Sequence, residues 1–152
     1  MVDLRTRFFQ AWFRLRRPLT LGVRGIVEDT NGRVLLVRHT YTPGLYLPGG
    51  GVEKGEPAET ALARELVEEA GIQTSERLDL IGVYSNHKTF PNDHVLVYRV
   101  APESWSACPA TSRGEIAEII WTDPLQPPSD TTPGNKRRLA EVYGGQSISP
   151  YW

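Results

Sequence analysis

Apolar positions recur at helical spacing near the start of the chain. Leu4, Phe8, Trp12 and Leu15 share one face of residues 3–16, Phe9 and Phe13 widen it, and Arg5 and Arg16 break its edge. Pro18 stops this helix. Strand patterns follow. Residues 20–29 (TLGVRGIVED) and 33–40 (RVLLVRHT) are apolar runs around the turn signal Thr30-Asn31-Gly32, which predicts a hairpin. Thr42-Pro43-Gly44 turns the chain into the short segment 45–48, LYLP. Residues 57–70 return to a helical period. Two further strands, within 77–88 and 93–101, flank a turn at Phe90-Pro91-Asn92-Asp93, and 115–123 (EIAEIIWTD) reads as another strand. The last helix is expected over 133–143, with Thr132 as cap and Pro133 in its first turn.

This order is a hairpin, a helix, a meander and a helix. It predicts an α/β domain, one mixed sheet with helices on both faces, over 19–145. Regular strand–helix alternation is missing, so a Rossmann fold fits poorly. Residues 1–18 stand apart as an extra amphipathic helix. The tail 146–152 is expected to be loose or docked by its aromatics.

The helix at 57–70 carries an anomaly. Leu62, Ala63, Leu66, Val67 and Ala70 fall in one sector, read as the buried one, while Glu65, Glu68 and Glu69 gather in another about 100° wide. Like charges at i, i+3 and i+4 destabilise a helix by roughly 0.2–0.5 kcal/mol per pair. Arg64 can pair with Glu68 but cannot neutralise all three. The plain explanation is a solvated acidic face. The alternative is a divalent cation, which prefers carboxylate oxygens. The segment leading into this helix, Gly49-Gly50-Gly51-Val52-Glu53-Lys54-Gly55-Glu56, favours the second explanation. Its glycines let backbone approach a metal or a phosphate without a Cβ in the way. Pro57 suits the first helical position and Gly71 the residue beyond the last turn.

Residues 50–72, GGVEKGEPAETALARELVEEAGI, resemble the signature of the Nudix hydrolases, the MutT-like family. Gly50, Glu56, Arg64, Glu65, Leu66, Glu68, Glu69, Gly71 and Ile72 occupy its specified positions without departure. The resemblance implies a Nudix α/β/α sandwich and hydrolysis of a nucleoside diphosphate linked to another moiety. It implies that Glu65, Glu68 and Glu69 ligate Mg²⁺ or Mn²⁺, with the Gly49 carbonyl as a further ligand. By the same resemblance Arg64 orients the glutamates and Glu56 is a structural acid at the helix start. The general base is left open between these glutamates, Glu115 and Glu118.

Charge and composition narrow the partners. The 152 residues carry a net charge of −1, so any attraction to phosphates is local. No apolar run approaches the roughly 18 residues of a membrane span, and the single Cys108 suits a reducing, cytoplasmic setting. Arg24, Arg38, His87 and Lys88 are candidate phosphate contacts, with Gly50 in the loop, and Tyr41, Tyr46 and Phe90 are candidates to stack a base. The three histidines, 39, 87 and 94, lack zinc-site spacing. Family markers for substrate are weak. Pro91 falls a few residues beyond the proline that marks many ADP-ribose hydrolases, and Tyr84 lies too near the signature for a dinucleoside polyphosphate hydrolase. ADP-ribose or a nucleotide sugar is slightly favoured over a nucleoside triphosphate. A non-catalytic nucleotide sensor of the same fold is the non-enzymatic alternative. No nucleic-acid partner is expected. The N-terminal helix, with five arginines among its aromatics, is expected to pack on its own domain or on a second subunit of a homodimer, with a membrane surface as the lesser alternative.

Overall fold

The computed structural model describes residues 4–75, 77–112 and 114–152. Asp3, the expected first residue of the leading helix, lies outside them, as do the side chains of Leu4, Arg5 and Arg14. In chain order the elements are α1 (Leu4–Arg16), β1 (Thr20–Val27), β2 (Val34–His39), α2 (Ala58–Ala70), β3 (Ile72–Thr74), β4 (Asp79–Ser85), β5 (Asp93–Val100), β6 (Trp105–Ala107), β7 (Ile116–Thr122) and α3 (Pro133–Tyr143).

The strands form a mixed three-stranded sheet, β1-β5-β4, and two antiparallel ladders, β2-β7 and β3-β6. β1 runs parallel to β5, from Thr20 opposite Asp93 to Val27 opposite Val100, and β4 lies antiparallel on the other edge of β5. The expected β1–β2 hairpin does not form a ladder. Just past the end of β1, an isolated bridge joins Glu28 to Val34. Both edges of β1 are already taken. β5 fills one, and the glycine segment fills the other through Val23 N–H to Gly50 O (2.8 Å), Gly25 N–H to Pro48 O (2.9 Å) and Val52 N–H to Leu21 O (2.9 Å). β2 therefore pairs with β7. The turn between β1 and β2 is closed by the Asp29 carboxylate, which accepts from the amides of Asn31 and Arg33. β3 and β6 are three residues each and carry no pattern long enough to announce them.

Alternation along β2 divides the core. Leu35 and Val37 join Val23, Val27, Ala61, Leu62 and Leu66 under α2. Val34 and Leu36 join Ile26, Leu45, Leu47, Val97 and Leu139 under α3. This gives the helix–strand–helix layering expected of the sequence. The tail is docked rather than loose. The Trp152 amide donates to the Ser85 carbonyl at 2.9 Å, and the buried Arg138 guanidinium lies 3.9 Å from the ring centre of Tyr84 and 5.5 Å from that of Trp152. Tyr84 is thus a core residue.

Among the described residues, the apolar face of α1 does not pack on its own domain. Phe8, Phe9, Trp12, Phe13 and Leu15 are all exposed, and neither core contains a described side chain of α1.

Candidate metal and diphosphate site

α2 starts at Ala58 with Pro57 as its cap, one residue later than expected, and ends at Gly71 in the left-handed region, whose amide donates to Leu66 and Val67. Its buried face is rotated from the sequence expectation. Ala61, Leu62, Leu66 and Glu69 are buried, while Ala63 and Val67 are half-buried. Glu69 therefore points into the molecule, Glu65 sits at the rim of the buried stripe, and Glu68 turns toward solvent. The acidic and buried sectors overlap because the glycine segment, not an apolar side chain, covers that part of the helix.

Two glycines make that cover possible. Gly49 has φ of 141°, and a Cβ there would fall on the Val23 carbonyl. A Cβ on Gly50 would fall on the Glu65 carboxylate. Backbone thus lies directly against the acids of α2. The Gly49 amide donates to Glu69 Oε2 at 2.9 Å, and the Gly49 carbonyl accepts from Arg24 Nη1 at 2.7 Å. Arg24 also donates to Leu47 O at 3.1 Å and stacks over Tyr46 at 5.9 Å. Burial pulls its pKa below the ordinary arginine value, against the pull of Glu69 and Glu65.

Arg64 is the hub of the acidic face. It donates to Glu56 (3.0 and 3.1 Å), to Glu65 (2.8 Å) and to Gly51 O (3.2 Å), and lies 3.6 Å from Glu68. Glu56 also accepts from the Glu53 amide, and Arg64 followed by that amide holds its pKa below the ordinary carboxylate value. Glu69 moves the other way. Burial pushes its pKa up to about 7, with help from Glu65 and Glu115 and against the Gly49 amide and Arg24. His39 Nε2 faces Glu69 Oε1 at 3.6 Å, and burial followed by Arg24 lowers the histidine pKa, so the imidazole is neutral near pH 7.

Among the described residues, no three His, Cys, Asp or Glu side chains already converge on one point. The donor set nevertheless fits a hard divalent cation. Three carboxylates share one edge of α2, one of them buried and crowded by like charge, and the glycine segment leaves no Cβ between them and the backbone. The Gly49 carbonyl, expected as a further ligand, has one lone pair engaged by Arg24.

Beside the glycine segment opens a cavity of about 680 Å³, lined by Arg24, Tyr46, Gly50, Gly51, Asn86, Phe90, Asp93, Asn135 and Trp152 among others. Arg24, Tyr46, Gly50 and Phe90 of the sequence candidates come together here. Others lie elsewhere. Arg38 is bound to Glu118 (3.0 Å) and Asp130 (2.7 Å). Alternation sends Arg38 and His39 to opposite faces, so His39 reaches Glu69 while Arg38 pairs across the β2–β7 ladder, which also engages Glu118. Lys88 caps the Tyr151 ring at 5.1 Å, and the His87 Nδ1 accepts from the Asn92 amide. Tyr41 is exposed, 5.2 Å from His39 ring to ring. Glu115 is exposed just before β7, with its backbone carbonyl tied to Thr40, and its charge reaches both His39 and Glu69.

Asn135, Asp93 and Trp152 were not anticipated. Asn135 is buried and accepts from the Leu47 amide at 3.2 Å while donating to Thr132 Oγ1. That contact occupies the expected cap, and the Thr132 side chain makes no cap hydrogen bond to the helix backbone. A polar residue in the first turn of an otherwise core-facing helix was the one available signal. For Trp152, nine residues past the last helix, the signal was the aromatic tail itself, one expectation for which was docking.

Residues 18–142 match the family model described as the NUDIX domain. The chain is 31% identical over 122 residues to an 8-oxo-dGTP diphosphatase of Escherichia coli (strain K12), covering 78% of this chain and 92% of that protein. It is 39% identical over 87 residues to an ADP-ribose pyrophosphatase of Methanocaldococcus jannaschii, covering 55% of this chain and 50% of that one. The crystal structure of a MutT NUDIX hydrolase from Burkholderia pseudomallei superposes with a TM-score of 0.68 at 26% identity, over 81% of this chain and 97% of that one.

Proposed function

Since the chain belongs to the Nudix family and is a Nudix hydrolase, we propose that it cleaves a nucleoside diphosphate linked to another moiety, such as ADP-ribose or a nucleotide sugar, with Mg²⁺ or Mn²⁺. Enzymes of this family act on nucleotide derivatives and use divalent cations. The observation that carries the finer reading is the glycine segment. It has the carboxylates of α2 against it and a cavity of about 680 Å³ with both polar and aromatic walls beside it.

Glu65, Glu68 and Glu69 would hold the cation. When bound, divalent ions neutralise diphosphate charge, polarise phosphorus and lower the pKa of bound water. The chain's own residues then do the following. Arg64 clamps Glu65 and Glu56 and so sets the carboxylate edge. The Gly49 amide fixes one oxygen of Glu69. Arg24 adds positive charge between the carboxylates and the cavity, where it suits the diphosphate. Tyr46 and Phe90 offer apolar faces to the base or sugar. Water attacks one phosphorus in line, and the P–O bond to the bridging oxygen breaks as the other phosphate leaves. Glu115, whose charge reaches Glu69, takes the proton of the attacking water ahead of Glu118, which is engaged by Arg38.

The test is a hydrolysis panel of ADP-ribose, nucleotide sugars and nucleoside triphosphates with Mg²⁺ or Mn²⁺. Turnover of the diphosphate substrates, abolished by chelation and lost in Glu69→Gln, is the expected result. Activity on none of them, or equal activity in Glu69→Gln, overturns the reading. The second reading, a nucleoside triphosphate pyrophosphatase, is favoured by the likeness to the E. coli diphosphatase over nearly its whole length. It prevails if triphosphates turn over with the higher kcat/KM.

A further inference from the structure

The family match begins at residue 18, and α1 lies before it. Its side chains pose a problem that the hydrolase domain does not solve. Phe8 is 68% exposed and Leu15 79%, with Phe9, Trp12 and Phe13 each about half exposed. Five large apolar side chains on one short helix need an apolar phase. From Leu4 to Arg17 the chain also holds five arginines and no acid, although the whole protein is nearly neutral. The guanidinium of Arg16 lies over Trp12 at 4.7 Å and that of Arg17 over Phe13 at 5.4 Å, so charge and aromatic surface are presented together.

Three occupants could cover this face. A second copy of residues 4–17 would bring ten arginines together with no acid between them, which opposes close self-association. A nucleic acid would suit the arginines but leave Phe8, Phe9 and Leu15 in water. An anionic lipid surface satisfies both parts, because the aromatics and Leu15 enter the head-group boundary while the arginines meet lipid phosphates and carboxylates. Among the described residues no helix is long and apolar enough to cross a membrane, and thirteen residues span only about 20 Å, so the helix would lie in the surface.

We propose that α1 is an interfacial helix that docks this hydrolase on an anionic lipid surface through Phe8, Phe9, Trp12, Phe13 and Leu15 together with its arginines. The proposal is independent of which nucleotide the enzyme cleaves. The probe is co-pelleting of the full chain with phosphatidylcholine vesicles, with and without about one third phosphatidylserine. Partition onto the anionic vesicles is expected to exceed that onto neutral ones about tenfold and to fall back in about 0.5 M sodium chloride. Phe8→Ser with Trp12→Ser, and separately Arg7→Gln with Arg16→Gln and Arg17→Gln, should each lower anionic partition about tenfold while leaving the thermal midpoint unchanged. If the first pair lowers the midpoint, Phe9→Ser with Phe13→Ser replaces it. Equal partition onto both vesicles, or full partition by both altered chains, overturns the proposal. So does a dimer in solution that the apolar pair dissolves without any vesicle binding, or displacement of the protein from vesicles by transfer RNA that binds the apolar pair as tightly as the parent chain.

Discussion

Helices α1 and α2 are both thirteen residues long and both carry an apolar face, yet they have opposite fates. α2 buries Ala61, Leu62 and Leu66 completely against β1 and β2, and a buried leucine contributes roughly 1.5–3 kcal/mol. α1 leaves larger side chains in contact with water. Their charges differ in the same sense. α2 gathers acids where glycine backbone covers them, whereas α1 gathers arginines where the described chain covers nothing. Amphipathic spacing states that a helix has an apolar side, but not what that side meets. In α2 the partner lies in the same chain, and Glu69, which shares its buried stripe, is held against the glycine segment. In α1 no such partner is present among the described residues, and Phe8, Phe9, Trp12, Phe13 and Leu15 stay exposed.

The contrast can be broken by substitution. Leu66→Ala in α2 should lower unfolding free energy by about 2–5 kcal/mol in urea titration, and a loss below about 1 kcal/mol would mean that α2 is not held by this contact. Glu69→Gln should lower kcat by about 100- to 1,000-fold with little loss of stability, and a variant within about threefold of the parent would remove Glu69 from the cation site. Gly50→Ala places a methyl on the Glu65 carboxylate, the flexible end of a side chain. Its effect should appear as about a tenfold loss of kcat/KM with less than about 1 kcal/mol in stability, and the reverse pattern would show that Gly50 serves the fold alone.

Smaller effects lie away from both helices. The buried Glu28 carboxylate accepts twice from Arg99 (3.0 and 2.7 Å) and from the Tyr143 hydroxyl. Burial alone would raise its pKa, but the Arg99 and Tyr143 hydrogen bonds outweigh it and leave the pKa below the ordinary 4.5. Its stabilisation is therefore present above pH 4.5 and lost as pH falls through the depressed folded value. Arg99→Gln should cost about 1 kcal/mol at pH 7, Arg99 being half exposed, and its urea midpoint should converge with that of the parent as pH falls toward 3. A gap constant with pH would assign the loss to packing instead. The smallest effect is expected at Phe9→Ala in α1, within about 0.5 kcal/mol by thermal melting. A loss above 1 kcal/mol would mean that the α1 face is covered by the chain after all.

The ends of the acidic helix were legible in the sequence. The caps are local features, and local spacing places them to within a residue at Pro57 and at Gly71 itself. The rotation of α2 was not legible, because Ala63 and Val67 look as apolar as Ala61 while the cover over Glu69 is glycine backbone, which leaves no hydrophobic trace. Nor was the choice between Arg38 and His39. Neighbours in a strand face opposite ways, and only the partner strand shows which way is inward.

The residue pattern alone determined that the chain would hold an acidic helix behind a glycine-rich approach, and that its first helix would be cationic and aromatic. Such properties depend on residues within a few turns of one another. Only the tertiary structure decided that β1 would lie beside β5 rather than β2, that Arg24 would sit beneath Gly49, and that Trp152 would close over Arg138 and Tyr84. Those contacts join segments up to 73 residues apart, as with Thr20 and Asp93. They are selected by which edges and faces remain unfilled once the rest of the chain has packed.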